Sequence, residues 1–175
     1  MFEIKPISPE AYRAQTRRST WTVMAIFLVL AMLSASACTA LFGTDGGDNF
    51  WWNLLGVAFG LGLTAALVRL QLWQRPFMDA ARYGWQLKRS LMSVTNVMHQ
   101  VKAAVAQGNA EAMKLLRFYH LGLMQMYQLE GNSAEASALV HELDAHRLAM
   151  EQAGLDVEQS RLNPAWLEAV KAIKA

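Results

Sequence analysis

Between Trp21 and Val68 the chain carries no lysine, arginine or glutamate, and its two aspartates, Asp45 and Asp48, fall in one short break. Trp21 to Phe42 is uncharged throughout, residues 43–49 are polar and glycine-rich, and Phe50 to Val68 is uncharged again, with Arg69 the next charge. At about 1.5 Å of rise per residue, a helix over either run crosses the roughly 30 Å hydrocarbon core of a bilayer. Backbone N–H and C=O groups in lipid must be satisfied within the segment, which helices achieve. A soluble helix of this length normally keeps one polar face. The pattern predicts a two-helix transmembrane hairpin over 21–73, with spans 21–42 and 50–72 and a turn at 43–49.

The flanks agree with that reading. Trp21, Trp51, Trp52 and Trp73 lie at the ends of the runs, where an interfacial aromatic belt sits. Lys5, Arg13, Arg17 and Arg18 precede the first run, and Arg69, Arg75, Arg82, Lys88 and Arg89 follow the second, whereas the turn has no cation. The positive-inside rule then puts both termini in the cytoplasm. Arg17, Arg18, Arg69 and Arg75 are the expected headgroup anchors, Arg69 by extending its side chain toward the interface. Gly56 and Gly60 lie on one face of the second helix and permit close helix packing, on the first helix or on a second copy of the chain. The twin arginine in Thr16-Arg17-Arg18-Ser19 and the small residues before Cys38 are weak export or lipidation signals, and neither accounts for the second apolar run.

The rest of the chain reads as helices. After residues 1–20, a cytoplasmic lead broken by Pro6 and Pro9, and after the hairpin, residues 76–175 are long enough for one small core. Pro76 suits a helix start, and Phe77, Ala80, Gly84, Leu87, Leu91, Val94, Met98, Val101 and Val105 form a seam with steps of three and four, predicting one long helix to about Gln107. This seam either packs within the chain or pairs two copies. Residues 110–129 are apolar on nearly every side and predict the central helix; its methionines read as core filling. Ala136, Leu139, Val140, Leu143 and Met150 give a third helix its apolar stripe. Asn163-Pro164 opens a short last one, with Trp166, Leu167, Val170 and Ile173 facing inward. The expected fold class is therefore all-α: the hairpin followed by a cytoplasmic bundle of about four helices.

No catalytic, cofactor-binding or metal site stands out. The single cysteine, Cys38, excludes a disulfide framework or a cysteine-based zinc site. His141 and His146 are spaced to point about 140° apart on a helix, which is poor for one metal. His120 sits on the most apolar helix and reads as a core histidine, and His99 lies on a polar face. Gly108-Asn109 and Gly131-Asn132 echo the turns of tetratricopeptide repeats, but without that repeat's period. With a net charge of +2 and no basic stripe, nucleic acid is not an expected partner.

Gly46-Gly-Asp-Asn-Phe50, Tyr83-Gly-Trp-Gln-Leu-Lys-Arg-Ser90, Val94-Thr-Asn-Val-Met-His99 and Leu115-Leu-Arg-Phe-Tyr-His-Leu-Gly122 resemble a proteobacterial family known only as a domain of unknown function. The resemblance covers nearly the whole chain, implies a bacterial inner-membrane protein, and brings no catalytic residues with it. The expected role is a membrane-anchored interaction or scaffold protein rather than an enzyme. Its partners would be the lipid bilayer and either another protein or a second copy of itself. The alternative is a small accessory subunit of a transporter or channel, with Gly56, Gly60 and Arg69 near the pathway.

Overall fold

A computed structural model describes residues 2–172. Ile173 lies outside the described residues. Seven α-helices follow one another: α1 (Pro9–Phe42), α2 (Phe50–Leu67), α3 (Asp79–Thr95), α4 (Met98–Ala106), α5 (Ala110–Glu130), α6 (Ser133–Gln152) and α7 (Pro164–Ala172). A π-turn at Val68–Leu72 extends α2, and a 3₁₀ turn at Pro76–Met78 leads into α3. Among the described residues the only β pairing is an isolated antiparallel bridge between Glu3 and Arg161. The chain divides into two compact units. One joins the residues up to Arg13 with those from Tyr83 onward, and the other is Ala14–Arg82.

In the Ala14–Arg82 unit, α1 and α2 are long and apolar enough to cross a membrane, with mean hydropathies of 2.3 and 1.6 over their most apolar stretches. They approach each other at the small residues. Gly56 lies against the backbone of Ala35, and a Cβ on Gly60 would stand 2.6 Å from Ala31 Cα. Both glycines thus pack on the first helix of the same chain. Residues 43–49 separate the two helices, and Asn49 fastens the turn, accepting from Thr44 N–H (3.0 Å) and donating to Thr44 C=O (3.2 Å). The Thr64 hydroxyl, buried in the contact, donates to Gly60 C=O at 2.8 Å, so its polarity is spent on its own helix.

The other unit is built on α5, nine of whose residues are buried. Its main core comprises Val94, Val101, Ala104, Ala112, Leu115, Leu116, Phe118 and Val170, and a second cluster comprises Tyr83, Leu87, Leu91 and Leu129. The seam residues Leu87, Leu91, Val94 and Val101 are therefore covered within one chain. Five helices, not about four, follow α2 among the described residues, because the expected long helix is broken at residues 96–97. Ahead of the break, the Ser93 hydroxyl donates to Ser90 C=O and the Thr95 hydroxyl to Leu91 C=O, side-chain bonds that compete with the helical ladder next to β-branched Val94 and Val97. Val140 also departs from expectation. It is exposed, because α6 rests on the rest of the unit through Leu139, His146 and Met150.

The first residues belong to this unit. Ile4 N–H donates to Ser160 C=O (2.8 Å) and Leu162 N–H to Phe2 C=O (3.0 Å). Lys5 N–H donates to the Tyr83 hydroxyl (3.0 Å), which donates to Gln125 Oε1 (2.5 Å), while Gln125 Nε2 donates to Lys5 C=O (2.5 Å). Gly84, which interrupts the seam, leaves room for the Tyr12 hydroxyl that a Cβ would strike. Its helix penalty of roughly 1 kcal/mol is thus exchanged for docking of the N-terminal segment. At the last helix, Asn163 Oδ1 accepts from Ala165 N–H (3.0 Å) with Pro164 in the first turn, as the sequence predicts.

Candidate functional site

The expected interface residues surround α1 and α2. Trp21 and Trp51 are largely exposed, as are Arg17, Arg18, Arg69 and Arg75. Trp52 stacks on Phe42 with ring centroids 5.1 Å apart. Trp73 is half-buried, and its C=O accepts from Arg82 Nη1 at 3.1 Å, while Arg82 Nη2 pairs with Asp79 at 2.6 Å. Gly56 and Gly60 are fully used in the contact with α1 described above.

Titratable chemistry collects elsewhere, between α5 and α6. The sequence weighs His141 against His146, but His141 is exposed and the side chain beside His146 is His120. The two buried rings meet edge to face with centroids 5.2 Å apart. His146 Nε2 lies 2.9 Å from Met113 C=O, and since a carbonyl only accepts, Nε2 carries the proton. His120 Nε2 is 3.5 Å from Glu142 Oε1, and its Nδ1 is buried without a hydrogen-bond partner. Burial is the largest cause pushing His120 down to about 4, followed by the neighbouring His146, with Glu142 opposing. Burial likewise lowers His146. Both rings are thus held neutral.

Arg117, also buried, fixes this corner. Its Nε donates to Val157 C=O (3.1 Å) and its Nη1 to Leu143 C=O (3.2 Å), tying α5 to α6 and to the segment before α7. These contacts suit a structural clamp. No group of three metal-ligating side chains is assembled among the described residues. Sequence spacing gave no sign of the His120–His146 pair, because the partners lie on different helices and meet only through packing.

A third arrangement combines cationic and apolar groups. Phe2, Trp85, Gln86, Arg89, Ser90, Ser93, Leu162 and Pro164 line a groove of about 380 Å³. The Arg89 guanidinium stands 5.1 Å from the centre of the Trp85 ring.

The sequence model of a family described as protein of unknown function (DUF3087) matches residues 2–167. The chain belongs to the DUF3087 family. The match includes every element from the N-terminal segment into α7, so both units of the chain are features of a DUF3087 protein. No curated protein and no solved structure matches the chain.

Proposed function

We propose that this DUF3087 protein is a membrane-anchored helical protein. In this reading α1 and α2 cross the bacterial inner membrane as a hairpin, and the remaining helices form an interaction module on the cytoplasmic face. The observation that carries it is the uncovered apolar surface of the two helices. Only 6% of the most apolar stretch of α1 and 17% of that of α2 are buried. Met32, Leu33, Leu41 and Phe59 all face outward. A core helix of a soluble protein would be covered, and apolar patches on soluble monomers seldom exceed a few hundred Å². Acyl chains would cover this surface without any polar requirement.

Connectivity supports two spans rather than one. The chain leaves the first unit at Arg13 and re-enters it at Tyr83, so the segment between them must begin and end on the same side of a bilayer. An even number of spans meets that condition. The basic residues flank both ends of this segment and are absent from the turn, which favours a cytoplasmic location for the termini. The packing favours an anchor over a transporter subunit, since Gly56 and Gly60 are consumed in close contact and the Thr64 hydroxyl is spent on its own helix. The binding partner in this reading is a protein or a second copy of the chain.

Reporter fusions at residues 46 and 175 test the arrangement. We expect periplasmic activity only from the fusion at residue 46. Periplasmic activity at residue 175 would overturn the hairpin.

A further inference from the structure

We propose that the groove between the N-terminal segment, α3 and the start of α7 is a binding site for a phosphate group borne on an apolar or planar body. Arg89 would take the charge, and Phe2, Leu162 and Pro164 would take the body. Four observations converge. The groove contains a fixed cation and no carboxylate. Arg89 makes no ion pair among the described residues, whereas Lys88 beside it is paired with Glu130 at 2.6 Å. The guanidinium is held over the Trp85 ring, which orients its donor edge and reduces the freedom lost on binding. The opposite wall is rigid, because Leu162 N–H donates to Phe2 C=O and Asn163 caps α7 immediately behind Pro164.

The donor set distinguishes phosphate from a simple carboxylate. A guanidinium engages two oxygens of a phosphate in parallel. Ser90 and Gln86 line the same groove, and a side-chain hydroxyl or amide can serve a third oxygen, which a carboxylate does not have. The groove at Arg13 contrasts with this one. It also contains Glu10, and Arg13 already donates to Gln128 C=O, so its charge is compensated.

The phosphate has two candidate sources, an anionic phospholipid headgroup or a water-soluble phosphate ester, and the test separates them. Full-length protein in dodecyl maltoside is titrated with dioleoyl phosphatidylglycerol, with dioleoylglycerol as the phosphate-free control, and bound lipid is counted by native mass spectrometry. Glycerol 3-phosphate is titrated separately and followed by phosphorus NMR line broadening. The variants are R89Q and, as an equal charge loss outside the groove, K102Q. We expect R89Q to weaken phosphate-dependent binding at least fivefold and K102Q to leave it unchanged. An effect confined to phosphatidylglycerol assigns the headgroup, and one seen with glycerol 3-phosphate as well assigns a soluble ester. Equal binding by R89Q and K102Q, or no preference for phosphatidylglycerol over dioleoylglycerol together with no broadening, overturns the site. Circular dichroism melts check that R89Q is folded. Should it melt early, the Q86A/S90A double variant, which keeps the cation and removes two donors, is judged by the same criteria.

Discussion

Acidification should loosen the contact between α5 and α6, and the magnitude follows from His120. In the unfolded chain this imidazole titrates near 6.5, whereas in the fold burial and the adjacent His146 push it down to about 4. The unfolded state therefore takes up the proton first. The resulting stability is fully present above about pH 6.5 and is lost as pH falls toward 4. Between pH 7 and pH 5 the unfolded state gains about 0.7 of a proton at this position and the folded state about 0.1, which integrates to a loss of about 2 kcal/mol. His146 is shifted in the same direction and adds to the loss. Glu142 beside His120 opposes it but is exposed, and Arg117, held by two backbone carbonyls, reinforces it. For a domain of about 100 residues, that loss lowers the melting temperature by roughly 10 °C. The measurement is thermal unfolding of the full chain in dodecyl maltoside at pH 7 and pH 5, for wild type and His120→Leu. The leucine variant has no proton to take up at this position and removes the buried, unpartnered Nδ1, so its melting temperature should change less with pH. Equal pH slopes for the two proteins would refute the assignment of acid sensitivity to this histidine.

Three further outcomes follow from the packing. Leu116→Ala opens a void in the main core and should cost about 2–5 kcal/mol, read from the same melts; an unchanged melt would remove α5 from the centre of the unit. Tyr83→Phe strips the acceptor from Lys5 N–H and the donor from Gln125, at about 1–3 kcal/mol for the buried groups left unpaired. Hydrogen exchange at Ile4 and Leu162 should then accelerate, and unchanged protection there would show that the tyrosine does not hold the N-terminal segment. Gly60→Leu drives a side chain into the Ala31 backbone and should separate α1 from α2, measured by loss of disulfide crosslinking between cysteines placed at Thr39 and Asn53, whose side chains meet at 3.0 Å, while the other unit melts as wild type. Crosslinking at the wild-type rate would mean that the two helices do not depend on that contact.

Local signals in the sequence located much of this fold. Uncharged runs and a glycine-rich break mark the end of α1 at Phe42 and the start of α2 at Phe50, because charge and turn chemistry act over a few positions, whereas α1 begins at Pro9, well before the uncharged run that opens at Trp21. Asn163-Pro164 likewise marks the start of α7. The seam of Leu87, Leu91, Val94 and Val101 is visible as a period, although a period does not say which surface covers it; burial within one chain does. The break after Thr95 escapes a pattern reading because hydrophobic spacing continues across it, and only the hydroxyl-to-carbonyl bonds of Ser93 and Thr95 disclose the competition. The histidine pair and the Arg89 groove are harder still. His120 meets His146, and Arg89 meets Phe2 and Leu162, through tertiary packing that no spacing rule encodes.

The N-terminal segment bears most directly on function. Residues 2–5 alternate apolar and charged over only four positions before Pro6 breaks the run, and they pair through one bridge, too short a signal to announce a structural role. Yet their carbonyls and amides are bound by Ser160, Leu162, Tyr83 and Gln125, all beyond α2 in sequence. Both ends of the segment from Ala14 to Arg82 are thereby tied to one folded body. Under the membrane-anchored reading proposed above, this double attachment has a mechanical consequence. A single tether lets a domain swivel about one chain, whereas two tethers restrict its rotation. The N-terminal segment also carries Phe2, one wall of the groove, so Tyr83→Phe should weaken phosphate binding there for a headgroup and a soluble ester alike, and binding as in wild type would show that the segment does not shape the groove.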